Sequence, residues 1–271
     1  MSRTFTADRP GPLTVDLDIG LGEVHVVTED REVAELTLEP TNPDDATARD
    51  LIERASESST TSGIGVVVPR PAGSGSAGQL VQAGDMHGVV VSSADGIVVD
   101  GRPVGSPGSA GAVTVTARLP HSSSVSMRTS SADLRTTGGL TRVAYQSHSG
   151  SLTVDLAGIV ESQTVSGRLR VANAATVRAS TTSGRIRLDQ VEQVTARSVS
   201  GAIELAQLRG TGRVESVSGA VRAHAVADAD LAASTISGAI RLSAAEQVTF
   251  RTRPSTVSGA IHQPATQQGS A

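Results

Sequence analysis

A serine followed by a small residue recurs through the second half of this 271-residue chain at a nearly constant interval. The pairs are Ser131-Ala132, Ser149-Gly150, Ser166-Gly167, Ser183-Gly184, Ser200-Gly201, Ser218-Gly219, Ser237-Gly238 and Ser258-Gly259. Consecutive pairs lie 17 to 21 residues apart. A period of this length indicates stacked structural units, because one such unit is too small to bury its apolar side alone.

Apolar and polar residues alternate on both sides of each glycine, which is typical of β-strands with one buried face. Around Gly184 the small or apolar positions are Val177, Ala179, Thr181, Ile186 and Leu188. The alternation changes phase between Thr181 and Ile186, so we expect a bend or bulge at the Ser-Gly pair. We therefore predict an all-β fold, namely a β-solenoid (β-helix) of roughly 17-residue rungs whose handedness the sequence leaves open.

The Ser-Gly pairs are the predicted structural corners of this solenoid. Glycine allows either an unusual backbone conformation or a close approach of another backbone. The serine hydroxyl can bond to the backbone at the bend or to the neighbouring layer. The corner residues are Ser166, Gly167, Ser183, Gly184, Ser200, Gly201, Ser218, Gly219, Ser237 and Gly238.

The region before the repeats predicts a further copy and one short helix. With Gly22 in the place of the repeat glycine, the apolar frame is Val15, Leu17, Ile19, Val24 and Val26. Asn42-Pro43-Asp44-Asp45 is a helix-start signal, and residues 46–57 have apolar residues at helical spacing.

These patterns divide the chain into four predicted regions. Residues 1–68 form an N-terminal β segment with the helix, residues 69–111 an inserted flexible β loop, residues 112–263 the repeat solenoid and residues 264–271 a disordered tail. Inside the insertion, valine-rich residues 89–91 and 97–99 flank a turn and predict a small β segment. The polar sequence after Ile261 predicts a cap on the last repeat.

Composition limits the chemistry available to the chain. Cysteine and lysine are absent, so disulfides and thiolate metal sites are excluded. Residues 1–100 carry a net charge of −11 and residues 101–271 a net charge of +7. The two halves can attract each other or face different partners. Because we find no signal peptide and no long apolar run, we expect a cytoplasmic protein that is not an integral membrane protein.

Arginine recurs at outward positions of the repeats. Three residues after each glycine stand Arg135, Thr153, Arg170, Arg187, Glu204, Arg222, Arg241 and His262. One residue after the glycine stand Arg168 and Arg185. The candidate anion-binding or partner-binding residues are Arg168, Arg170, Arg185, Arg187, Arg222 and Arg241. The alternative is a solvated strand face on which arginine opposes aggregation.

Catalytic and cofactor motifs are weak. Gly73, Gly75 and Gly78 match GxGxxG, but no helical pattern follows them, so a linker is the better interpretation. His87 beside Asp85 has no metal-ligand spacing, and the outward positions supply no carboxylate cluster for a polysaccharide lyase or hydrolase. We therefore predict no enzyme, no cofactor and no metal. Without aromatic residues among the arginines, base stacking is not available, which disfavours single-stranded nucleic acid as a ligand. We also expect no sequence-specific nucleic acid binding.

The repeats TVSGRLRV, TTSGRIRL, SVSGAIEL, SVSGAVRA and TISGAIRL resemble the bacterial "putative adhesin" family, domain of unknown function family 4097. LTVDLDIGLGEVHVVTEDR is similar to the start of cytoplasmic actinobacterial members. The resemblance covers roughly residues 10–70 and 112–263 and implies a toast-rack-like β-solenoid without an assigned reaction. An adhesin is exported, whereas this chain shows no export signal.

Three functions follow as hypotheses from these patterns. The first is a non-enzymatic scaffold or protein-interaction module, which can self-assemble through its ladder faces or open ends. The second is a binder of an anionic polymer or anionic surface along the arginine face, which could equally dock the acidic half of a second copy. The third and weakest is a carbohydrate-active enzyme.

Overall fold

The computed structural model describes residues 2–60, 63–70, 91–93, 96–99, 102–104 and 111–263. The single helix of these residues is α1, Ala46–Glu53. The N-terminal strands are β1 (Arg3–Thr6), β2 (Thr14–Glu29), β3 (Glu35–Pro40), β4 (Ser56–Thr60), β5 (Gly63–Val67), β6 (Val91–Ser93), β7 (Gly96–Val99) and β8 (Arg102–Val104). The strands of the repeats are β9 (Val113–Pro120), β10 (Ser124–Ser149), β11 (Leu152–Ser198), β12 (Ile203–Ser216), β13 (Val221–Ala225), β14 (Ala229–Thr235), β15 (Ile240–Ala244), β16 (Phe250–Thr256) and β17 (Ile261–His262).

Fourteen strands form one open sheet. Ten of them run in the order β1-β3-β9-β2-β10-β11-β12-β13-β15-β17, while β14 and β16 continue from β12, and β5 and β4 continue from β2. The first half of β12 pairs with β13 and its second half with β14, both in parallel. Both halves of each repeat therefore continue the sheet. The buried residues of both halves belong to one hydrophobic cluster, which includes Ile186 and Val194. The chain is thus mostly β around one core, as the alternation predicts.

Equivalent residues of successive repeats are direct neighbours in the sheet. Ile186 pairs with Ile203, and Ile203 pairs with Val221. The predicted N-terminal copy also belongs to this ladder, because Gly22 pairs with Ala132 in parallel. Side chains that share a position in the repeat therefore stack at the ordinary strand separation of about 4.8 Å.

The recurring glycine is explained by a column of closely stacked backbones. A Cβ built on Gly201 would lie 1.7 Å from the carbonyl oxygen of Gly184, and one on Gly184 would lie 2.1 Å from that of Gly167. At Gly167 the backbone also has φ of +150°, a conformation that disfavours a side chain. Close approach is therefore the reason that applies along the whole column, and at Gly167 backbone conformation adds to it.

A second column, of mostly buried hydroxyl groups, lies three residues before the glycines of the Ser-Gly pairs. Ser198 Oγ accepts a hydrogen bond of 2.8 Å from the N–H of Gly201, and Ser216 Oγ accepts one of 3.0 Å from Gly219. The corner serines act differently: Ser200 Oγ donates to the carbonyl oxygen of Thr182, one repeat earlier, at 3.3 Å. The hydroxyls of Ser198 and Ser216 thus satisfy backbone groups at the bend, whereas the buried hydroxyl of Thr181 in the same column has no hydrogen-bond partner among the described residues.

Several predicted corners do not interrupt a strand. β11 runs without a break from Leu152 to Ser198 and so passes through Gly167 and Gly184. Strands end and resume at the corner of Gly150, between β10 and β11, and at later corners such as Gly201, between β11 and β12. At Gly167 and Gly184 the predicted corner therefore lies within one continuous strand.

Helix α1 covers the N-terminal end of the core. Its Leu51 and Ile52 are 1% exposed and join the hydrophobic cluster. One carboxylate oxygen of Asp45 caps the helix by accepting from the N–H of Thr47 and Ala48. The helix was expected over residues 46–57 but ends at Glu53, because residues 56–60 form β4 and pair with β5.

The inserted segment contains part of the predicted β structure. β6, β7 and β8 form an antiparallel three-stranded sheet. Residues 71–90 lie outside the described residues, and so do the glycines of the GxGxxG match and His87. The tail after residue 263, predicted to cap the last repeat, also lies outside them.

The last described repeat is less covered than the earlier ones. Ile261 is 38% exposed, whereas its ladder neighbour Ile240 is fully buried. Phe250 in β16 is only partly buried. The two ends of the core therefore differ, because α1 covers the first and no described element covers the second.

Candidate basic groove

One groove of about 490 Å³ crosses five successive layers of the ladder on the outward face after the glycine column. We call it the basic groove. Its lining includes four of the predicted residues, Arg168, Arg170, Arg185 and Arg187. All four side chains are exposed, as the register of the repeat predicts.

A step in side-chain length explains why a hollow forms here. In the layer of β11 that follows Gly150, the outward residues are the short Ser151 and Thr153. Arg135 pairs with Thr153 on one side of this layer, and the longer side chains of Arg168 and Arg170 follow on the other. The groove is therefore deepest over Ser151 and Thr153, because their side chains are shorter than the arginine side chains of the layers on both sides.

The four predicted arginines fall into two pairs with different partners. Asp189 holds both Arg170, at 3.3 Å, and Arg187, at 2.9 Å. The hydrogen bond from Arg187 to Asp189, followed by the charges of Asp189 and Glu204, raises the pKa of Arg187 above its usual value. Arg168 and Arg185, in contrast, form no ion pair with another described residue.

The charge of the basic groove changes along its length. At the end nearest the N-terminal strands, Glu23 lies 3.4 Å from His25, and Asp133 accepts a hydrogen bond of 2.7 Å from the N–H of Ser151. Five arginines and two carboxylates line the groove in all. An anion is therefore attracted to the arginine end and repelled from the opposite end.

Two predicted site residues lie outside the groove. Arg222 and Arg241 pair with each other further along the same outward column. Arg222 binds Glu204 at 3.1 Å, whereas Arg241 has no ion pair within the described residues. The register places Arg187, Glu204, Arg222 and Arg241 in one column, but the groove includes only part of this column, and the binding role of these arginines stays a prediction.

Asp189 is the neighbour that the sequence interpretation missed. It lies two residues after Arg187 in the sequence, and the only other repeat with an acid at the same position is the one after Gly150, which has Asp155 there but Thr153 in place of the arginine. Only the structure shows that Asp189 bridges two layers, because there Arg170 and Arg187 are stacked on each other. A search for acids two residues beyond the outward arginines would have found it.

Within the described ranges, no three His, Cys, Asp or Glu side chains gather in a way that could hold a metal ion. The helix of the described part is too short and too polar to span a membrane.

The family model of Toastrack DUF4097 matches residues 89–271. The chain belongs to this family. The match confirms the resemblance drawn from the Ser-Gly repeats, and it also includes the β6–β8 sheet. The N-terminal copy around Gly22 lies before the matched residues, although it extends the same ladder.

Solved structures similar to this Toastrack chain share its fold at low sequence identity. A "putative lipid binding protein" from Parabacteroides distasonis has a TM-score of 0.53 and 12% identity, over 97% of this chain and 96% of that one. A "putative adhesin" from the same species has a TM-score of 0.50 and 11% identity, over 97% of each chain. One from Parabacteroides merdae has a TM-score of 0.50 and 10% identity, over 97% and 96%.

No curated protein shows significant similarity to this Toastrack chain. The family match and the solved structures therefore describe its architecture, and the names of those relatives are those of adhesins and a lipid-binding protein, not of enzymes. At such identities the likeness concerns the fold alone.

Proposed function

We propose that this Toastrack chain is a non-enzymatic β-solenoid scaffold that binds an anionic polymer or anionic surface through its basic groove. The observation that carries the proposal is the presence of Arg168, Arg170, Arg185 and Arg187 in one groove. Among the residues that the structure describes, only the carboxylate of Asp189 is paired with any of the four. The groove therefore retains positive charge for a ligand.

The solenoid part of the proposal is supported by the ladder register. Ile186, Ile203 and Val221 are successive neighbours at intervals of 17 and 18 residues. A repeat of this size places outward residues in straight columns, and a column is the arrangement that a long ligand with regularly spaced charges needs. The cytoplasmic location remains a prediction from the sequence.

Heparin serves as a probe for the proposed function. We expect the protein to bind immobilised heparin at about 50 mM salt and to elute as the salt concentration rises. Binding releases counterions from heparin, and this release is less favourable at higher salt. The variant carrying Arg170→Ala and Arg187→Ala should elute at a clearly lower salt concentration. It loses two charges from the groove and leaves Asp189 unpaired.

A matched control separates the groove from net charge. Arg209→Gln with Arg251→Gln removes two exposed arginines that lie outside the basic groove and have no ion pair within the described residues. This control should elute close to the wild-type protein. Failure of the wild-type protein to bind, or equal elution of the groove variant and the wild type, would refute the proposed function.

A second function, self-assembly through the last repeat, is favoured by a separate observation. Val257 is 82% exposed and Ile261 is 38% exposed beside the partly buried Phe250. Apolar surface at an uncovered end of a repeat protein favours association with another such end. Light scattering should then show oligomers that grow with protein concentration and persist at moderate salt, and a monomer at all concentrations would exclude it.

A further inference from the structure

The chain holds a carboxylate between two arginines at three separate places. Each arrangement joins side chains from neighbouring layers of the ladder, and in each the acid accepts from both arginines. The three sets are Arg170-Asp189-Arg187, Arg142-Glu161-Arg178 and Arg197-Glu215-Arg213. In the first set the two arginines hold equivalent positions in adjacent layers, so two stacked arginines can share one carboxylate.

In the third of these sets the two arginines also shift the pKa of the acid between them. For Glu215, the hydrogen bond from Arg213 is the largest cause that lowers its pKa, and the charge of Arg197 adds to the effect. The carboxylate therefore stays ionised and both arginines stay engaged. We call such a unit a filled clamp.

Arg168 and Arg185 have the same arrangement without the acid. Each directly follows a glycine of the column, and the close contact between Gly167 and Gly184 places the two arginines in adjacent layers. Both are exposed and both line the basic groove. No described carboxylate lies within ion-pair distance of either.

We propose that Arg168 and Arg185 form an open clamp that binds one Asp or Glu side chain of an extended acidic protein segment. This inference rests on the proposed function and names the ligand class of the same groove. An aspartate or a glutamate side chain occupies every filled clamp, so the chemistry of the ligand is taken from the chain itself.

The length and polarity of the groove define the segment further. Five layers about 4.8 Å apart span about 19 Å, which equals about six residues of extended chain. Glu23 and Asp133 line the opposite end and repel further carboxylates. The acidic residue therefore binds at the arginine end, and neutral or basic residues follow above Ser151 and Thr153.

The test uses fluorescein-labelled deca-glutamate and fluorescence anisotropy at about 50 mM salt. Arg168→Gln with Arg185→Gln should weaken binding roughly tenfold, the sum expected for two exposed ion pairs. The control Arg209→Gln with Arg251→Gln should stay within about twofold of the wild type. Equal losses in both variants would overturn the clamp, because net charge alone would then explain binding.

Opening a filled clamp provides a gain-of-binding test. Asp189→Asn releases Arg170 and Arg187 in the same groove, so this variant should bind deca-glutamate more tightly than the wild type. An unchanged or weaker affinity would contradict the idea that two stacked arginines suffice to bind a carboxylate.

Inorganic polyphosphate tests whether the open clamp prefers a carboxylate or a phosphate. Loss of polyphosphate binding in Arg168→Gln with Arg185→Gln, without loss of deca-glutamate binding, would overturn the assignment of the ligand as a carboxylate. Binding of heparin but not of deca-glutamate by the wild-type protein would refute this inference and leave the proposed function intact. Binding of neither probe would refute both.

A second copy of the chain is one source of an acidic segment. Sedimentation velocity should then show association of the wild-type protein that the clamp variant lacks, which would support the clamp and identify its partner. Monomers of both proteins together with tight deca-glutamate binding would support a different acidic protein.

Discussion

At the scale of single residues, the glycine column is the feature that most restricts the sequence. A methyl group on Gly201 would lie 1.7 Å from a carbonyl oxygen, and neither backbone can move without disturbing the ladder on both sides. We expect Gly201→Ala to lower the free energy of unfolding by about 3 kcal/mol, because strain in a packed interior is costly. Urea unfolding measures this loss.

Gly139→Ala is the matched control for the glycine column. A Cβ at Gly139 would meet only Leu156 Cδ2, at 3.5 Å, which is an ordinary contact. This variant should stay within about 0.5 kcal/mol of the wild type. Similar losses in both variants would show that intrinsic strand preference, and not close approach, explains the recurring glycine.

The sequence predicts that these glycines matter but not for which reason. Both the backbone conformation and the close approach agree with a recurring Ser-Gly pair. The structure decides between these two reasons, because a Cβ on Gly201 would lie too close to the carbonyl oxygen of Gly184. The buried hydroxyl of Ser198 is similar, because serine at an inward position looks like an interruption of the apolar pattern until its bond to Gly201 is seen.

At the scale of elements, Asp45 joins the helix to the chain that returns from the insertion. One of its oxygens caps α1, and the other accepts a hydrogen bond of 2.7 Å from the N–H of Gly111. Partial burial opposes ionisation, but the backbone hydrogen bonds outweigh it and lower the pKa of Asp45 from its ordinary value of 3.8. The ionised carboxylate is therefore the form that stabilises the fold.

The effect of Asp45 on stability should depend on pH. A lowered pKa in the folded state gives stability that is present above pH 3.8 and is lost as the pH falls through the lower folded value. Asp45→Ala should cost about 1 kcal/mol at pH 7, typical of a lost helix cap. The difference from the wild type should shrink in acid.

Asp44→Ala serves as the control for this pH dependence, because the exposed carboxylate of Asp44 does not cap the helix. Urea unfolding of Asp44→Ala should be close to that of the wild type at every pH. A loss in Asp45→Ala that is the same at pH 7 and in acid would contradict the role of the charge.

Helix α1 also shows how far local patterns predict an element. Its start is fixed by a local signal, the Asp45 cap, and was therefore predictable. Its end depends on the pairing of residues 56–60 with β5, a tertiary contact that overrides the helical spacing up to residue 57.

At the scale of the whole molecule, the stacking of repeats brings residues that recur in the sequence side by side on the surface. The columns of arginines were predictable because the period alone determines which residues stack. The groove was not, because it depends on the short side chains of Ser151 and Thr153 and on the bridging carboxylate of Asp189. Whether a clamp is filled or open therefore depends on contacts between repeats, which the sequence alone does not show.

Engineered cysteines provide the most direct measurement of the stacking on which this account depends. The chain has no cysteine of its own. Gln190 and Gln207 are ladder neighbours whose side chains share a hydrogen bond of 3.1 Å, outside the basic groove. Neighbouring strands bring paired Cα atoms to about 5 Å, within the range of about 4.4 to 6.8 Å that a disulfide requires.

Gln190→Cys with Gln207→Cys should therefore form an intramolecular disulfide under mild oxidation, seen by mass spectrometry as protection from alkylation. Gln190→Cys with Arg209→Cys shifts the second cysteine two positions along the strand, to about 8 Å, and should remain alkylated. A disulfide in the first variant alone is the result that the ladder predicts. Free thiols in the first variant, or equal oxidation of both, would contradict the stacking of successive repeats.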